Sequence, residues 1–145
     1  MTSMDMNSER PYAGIIERLK EAGLRPTRQR LALARILFDG PDRHVTAEAL
    51  HSEVMEANIR VSLATVYNTL HQFTRSGLLR EVVVDSGRAY FDTNMSDHHH
   101  FFDEDNGRLT DIAPDDITLS GVPTLPEGSK LSRVDVVLRV SSADK

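Results

Sequence analysis

The sequence predicts an α+β fold, an N-terminal winged helix-turn-helix followed by a small strand-rich domain. Three observations predict it. Four amphipathic segments, three of them preceded by a Thr or Ser that can cap a helix, fill residues 11–75. Two β-rich runs around a Gly-containing turn follow them. After Thr93 the texture changes to short β-prone runs and a stretch dense in Pro and Gly.

Tyr12, Ile15, Ile16 and Leu19 fall on one face of a first helix, and Gly23 stands where such a helix ends. Thr27 caps a second, from about Arg28 to Phe38, with Leu33, Ile36 and Leu37 inward and Gly40-Pro41 as its stop. Thr46 caps a third, which places Ala47, Leu50, Val54 and Ala57 together, with His44 just ahead of it. Ser62 caps a fourth, with Leu63, Val66, Tyr67, Leu70 and Phe73 inward and Gly77 at its close. LLREVVV, the turn Asp85-Ser86-Gly87 and RAYF then form the wing. Beyond it, His98 to Phe102 and Arg108 to Ile112 read as strands around Asp105-Asn106-Gly107, and Leu131 to Val140 as a closing strand. Five Pro and Gly residues within 113–129 argue against a long helix there.

This organises the chain as a flexible lead over 1–10, a winged-helix domain over 11–93 and a second domain over 94–145. The second is too short to bury much core alone, so pairing with a second copy is expected to complete it.

The net charge is -5, but its distribution is uneven. Residues 1–84 carry 11 Lys/Arg against 10 Asp/Glu; the rest carry 6 against 12. Seven basic residues, Arg10, Arg18, Lys20, Arg25, Arg28, Arg30 and Arg35, crowd the stretch 10–35. A local basic patch is enough to engage phosphates. With no cysteine, the chain has no disulfide, no thiolate zinc site and no thiol nucleophile. No apolar run approaches membrane-spanning length, and the first ten residues lack a signal-peptide core, so a cytoplasmic protein is expected.

The outward positions of the fourth helix include Ala64, Thr65, Asn68 and Gln72. Asn and Gln can read adenine bidentately, and Ala or Thr can pack on a thymine methyl, so this helix is the expected reader of the major groove. The run His98-His99-His100 carries different chemistry. On a strand, His98 and His100 share a face and can chelate one ion. With Asp92, Asp111 and His44 they make three nitrogen and two carboxylate donors, a set suited to Fe(II), Mn(II) or Zn(II). Two histidines and one carboxylate also describe an iron oxygenase, but no barrel of strands encloses a substrate, and no enzyme is expected. His51 and His71 are read as surface residues.

GLRPTRQR (23–30), HVTAEAL (44–50), SLATVYNTLHQF (62–73), GLLRE (77–81) and the histidine triplet together resemble the ferric uptake regulator (Fur) family, from about Leu24 to Ile112. The resemblance implies a winged helix joined to an α/β dimerisation domain, acting as a homodimer on double-stranded operator DNA. It implies base contacts from Ala64, Tyr67 and Asn68 and a minor-groove role for Arg25. Asn68 stands where many members carry Arg, which implies a different operator. It implies one ion held by His44, Asp92, His98, His100 and Asp111, as in the peroxide-sensing branch. A second family metal site, which uses the middle histidine, is expected to be lost, because its other ligands fall at Thr118 and Val134. The first structural-zinc CxxC pair falls at Asp103 and Asn106, and the second is absent. Missing cysteines, three adjacent histidines and a short C-terminal domain resemble the iron response regulator branch, which implies haem as an inactivating signal bound at His98, His99 and His100.

Overall fold

The computed structural model describes residues 13–85 and 87–143. The lead over 1–10, Tyr12 and the turn residue Ser86 lie outside them. The chain divides into two compact units, one ending at Met95 and one beginning at Ser96.

The first unit opens with α1 (Ala13–Glu21) and α2 (Arg28–Phe38). Gly23, at φ +80°, ends α1 in the left-handed conformation. Its N–H donates to the Lys20 carbonyl while that of Leu24 reaches back to Leu19, which satisfies two terminal carbonyls of the helix. The Thr27 hydroxyl accepts from the Arg30 N–H at 3.3 Å and starts α2. A two-residue strand, β1 (His44–Val45), leads into α3 (Ala47–Glu56), capped by Thr46 through the Ala49 N–H. Ser62 caps α4 (Leu63–Arg75) through the Thr65 N–H at 3.1 Å. The wing is β2 (Arg80–Asp85) and β3 (Arg88–Asp92). Both pairs of its sheet, ordered β1-β3-β2, are antiparallel.

Leu33, Leu50, Val54, Val66, Leu70 and Phe73 are fully buried and form the centre of this unit, with Phe91 of the wing packed among them. The three from α4 stand at spacings of four and three residues, so one stripe of the helix is buried and its opposite face is presented outward. Each such side chain contributes about 1.5–3 kcal/mol by leaving water, enough to fix the orientation of α4.

The second unit holds β4 (His99–Asp103), β5 (Leu109–Ile112), a 3₁₀ turn (Pro114–Asp116) and β6 (Val137–Val140). The sheet order is β5-β4-β6, with β6 parallel to β4. The closing strand is shorter than the β-prone run Leu131 to Val140, because only its last four residues pair in register with β4. The histidine strand begins one residue later than expected, with His98 immediately before it.

Hydrogen bonds hold the turn after β4 at the positions where the resemblance places a cysteine pair. Asp103 Oδ1 accepts from the Asp105 and Asn106 N–H groups at 2.9 and 3.4 Å, and Asn106 Oδ1 from the Arg108 N–H at 2.8 Å. Asp105 Oδ2 accepts from Ser142 N–H at 2.6 Å, which ties the end of the chain to this corner. Phe102, Leu109 and Ile112 are the buried apolar residues described in this unit, while Phe101, Leu138 and Val140 are exposed.

Candidate functional site

Three arrangements of side chains stand out, two in the first unit and one in the second. The first is the outward face of α4. Ala64 and Asn68 are exposed there, Thr65 is half-buried, and Arg25 and Arg28 are exposed at the entry to α2. Tyr67 is half-buried, and its hydroxyl donates to Glu48 Oε1 of α3 at 2.6 Å. That bond holds the Glu48 carboxyl below its ordinary pKa and pushes the Tyr67 phenol above its own. Gln72, whose chemistry suits a base reader, is engaged within the unit: its Oε1 accepts from Arg30 Nε at 3.2 Å and Nη2 at 3.1 Å. A helical wheel of α4 alone cannot reveal this, because the partner comes from α2.

The second arrangement is a pair. His44 lies in β1, paired in register with Asp92 of β3. This strand is only two residues long and its partner is distant in sequence, so no local pattern marks it. His44 Nε2 is 3.4 Å from Asp92 Oδ2. The Asp92 side chain is 1% exposed, and its Oδ1 accepts the Asn94 N–H at 2.9 Å, which turns Oδ2 toward the histidine.

The third arrangement is the expected histidine cluster. His98 and His100 are buried, with ring centroids 4.6 Å apart. Asp111 sits opposite His100 in the β4–β5 register. Its Oδ1 is 3.5 Å from His98 Nε2 and 3.6 Å from His100 Nε2. His98 Nδ1 is 2.6 Å from the Ser96 carbonyl oxygen, which can only accept, so this nitrogen carries the hydrogen. In the neutral ring, the Nε2 lone pair then faces the carboxylate, an arrangement that a cation between them satisfies. Two ligand atoms about 2.1 Å from a tetrahedral ion lie about 3.4 Å apart, close to these separations. The residues present therefore fit a divalent metal. His99 turns away: its Nδ1 accepts from the Val136 N–H at 3.1 Å.

Residues 21–138 match the Ferric uptake regulator family. The chain belongs to that family. Its Fur relatives include the ferric uptake regulation protein of Bordetella parapertussis, 35% identical over 100 residues, which are 68% of this chain and 72% of that protein. The ferric uptake regulator of Pseudomonas aeruginosa, solved with manganese, is similar at a TM-score of 0.68 and 29% identity, over 88% of this chain and 96% of that one. The Vibrio cholerae ferric uptake regulator shares the fold at a TM-score of 0.70 and 24% identity, over 88% and 98% of the two chains. Fur proteins are dimeric DNA-binding transcription regulators, not enzymes, which sets the oxygenase reading aside. No described helix is long and apolar enough to cross a membrane.

Proposed function

We propose that this chain is a cytoplasmic Fur-family regulator of iron and haem homeostasis. As a homodimer it binds an inverted-repeat operator through α4 and the wing, with the winged unit (11–93) as the DNA-binding domain and residues 94–145 as the dimerisation and sensing domain. Ala64, Thr65, Tyr67 and Asn68 approach base edges, and Arg25, Arg28 and Arg30 face phosphates or the minor groove. The exposed Phe101, Leu138 and Val140 suit pairing between copies.

The reading rests on one observation: His98, His100 and Asp111 converge, with the His98 tautomer fixed by the Ser96 carbonyl. A divalent ion, Fe, Mn or Zn, is held there, and the resemblance adds His44 and Asp92 to its ligands. If the ligands are those the resemblance implies, residues of both domains would hold the ion, and its charge would favour one arrangement of the DNA-reading heads. His44 and Asp92 bring a nitrogen and a carboxylate; His98, His100 and Asp111 complete the set. A ligand shifts this balance only through its different affinity for the two arrangements.

Within the family, the absent cysteines, the three-histidine run and the short C-terminal domain support the iron response regulator branch. Haem is then the inactivating signal, and the resemblance assigns it to the run His98, His99 and His100; imidazole is a competent axial ligand for its iron. The alternative is a peroxide- or manganese-sensing repressor, and the likeness to the manganese-containing Pseudomonas aeruginosa structure favours its manganese form.

A gel shift on iron-gene promoters, run with Mn(II), with haem and with neither, tests the proposal. Haem is expected to release the DNA, and the triple substitution His98→Ala, His99→Ala, His100→Ala to abolish that release. Equal release from the variant removes the haem assignment. Asn68→Ala is expected to weaken the specific site by about 1–3 kcal/mol and random duplex far less. Equal loss on both duplexes rules out base reading by Asn68.

A further inference from the structure

The Arg30 guanidinium is half-buried between α2 and α4. Its Nε and Nη2 donate to Gln72 Oε1 at 3.2 and 3.1 Å, and its Nη1 donates to the Arg25 carbonyl at 3.0 Å. Among the described residues these partners leave two of a guanidinium's five N–H donors uncommitted. Both acceptors are neutral, and no carboxylate pairs with Arg30 among the described residues. The group is therefore aimed without losing its positive charge. Arg30 and Gln72 also line one polar groove, together with Thr27, Thr65 and Asn68.

We infer that Gln72 is a positioning residue that holds Arg30 as a preorganised clamp for a DNA backbone phosphate, and that it reads no base itself. This rests on the proposed operator binding and deepens it. A guanidinium in water spends side-chain entropy when it settles on a phosphate. Here Gln72 settles it beforehand, and because Gln72 belongs to α4, the clamp keeps a fixed distance from Asn68 one turn earlier. A phosphate gripped by Arg30 then sets the register in which Asn68 meets the base edges. A glutamate at the same place would hold the fork as well but cancel the charge, so the neutral amide matters.

The test uses the full chain, a duplex selected by the wild type from a random library, and a shuffled duplex of equal length. Affinities are measured across a salt series. Arg30→Ala is expected to weaken both duplexes about tenfold and to reduce the salt slope by about 0.9. Gln72→Glu keeps the acceptor, and with it the fold, yet is expected to lower the slope by a similar amount on both duplexes. Gln72→Ala is expected to weaken both less than Arg30→Ala does, and to add nothing to the loss in the Arg30→Ala background. The inference is overturned if Gln72→Ala and Gln72→Glu weaken only the selected duplex at unchanged slope. It is equally overturned if the effect of Gln72→Ala persists without Arg30. A wild type that enriches no duplex removes the operator reading itself, a result seen before any variant is made.

Discussion

Replacing Asp111 by alanine tests the metal centre with little damage to the fold. The Asp111 side chain is 46% exposed, so without metal the variant is expected to match the parent within about 0.5 kcal/mol. With metal the two diverge. An ion present at a hundred times its dissociation constant stabilises the native state by about 2.7 kcal/mol. For a chain of this size that raises the melting temperature by about 5–10 °C. Asp111 Oδ1 lies 3.5 and 3.6 Å from the two histidine Nε2 atoms, so its removal opens the site on the side both rings face. Loss of even an outer partner of a metal ligand weakens affinity 10- to 100-fold, and loss of the ligand itself is taken at the upper end. At the same Mn(II) concentration the variant then sits near its dissociation constant, where binding contributes about 0.4 kcal/mol, or about 1–2 °C. Differential scanning fluorimetry of chelator-stripped protein, titrated with Mn(II), reads both numbers. If the variant keeps the parent's full metal-induced shift, Asp111 is not a ligand and the convergence of the two rings has another cause.

Two further outcomes follow from the first unit. Phe73→Ala empties a fully buried position beside Phe38, whose ring centroid is 6.2 Å away, and is expected to cost about 3–5 kcal/mol in urea unfolding; a loss under about 1 kcal/mol contradicts the packing. Tyr67→Phe removes the hydroxyl that holds the Glu48 carboxyl low, so the Glu48 midpoint followed by NMR is expected to rise. Because the folded pKa of Glu48 is depressed and that of Tyr67 raised, the bond's contribution to stability is present at neutral pH. It is lost as pH falls through the lowered Glu48 value and again as pH climbs through the raised Tyr67 value. Parent and variant compared at neutral and acid pH show this as a gap that closes in acid; a gap independent of pH refutes it.

Much of the first unit is legible in the sequence because its signals are local. Thr27, Thr46 and Ser62 each stand one residue before a helix and cap it through their own hydroxyls, and the buried stripe of α4 repeats at helical spacing. The shared face of His98 and His100 is legible for the same reason, since alternation along an extended chain is a property of neighbours. What the sequence conceals depends on partners far along the chain. The strand at His44 exists only because Asp92 and Phe91 lie beside it. Gln72 has the chemistry of a base reader, and its partner Arg30 comes from another helix, which no pattern within α4 shows. Leu131 to Val136 have β-branched and apolar residues enough for a strand, yet propensity does not say which backbone will accept the hydrogen bonds.

The corner at Asp103, Asp105 and Asn106 separates two chemistries that a thiolate-bound zinc would join. Carboxylate and amide oxygens accepting peptide N–H groups offer an oxidant no sulfur to attack, and a chelator nothing to extract. Loss of an ion from elsewhere in the chain would leave this fastening shut, since nothing that holds it is a metal ligand of sulfur.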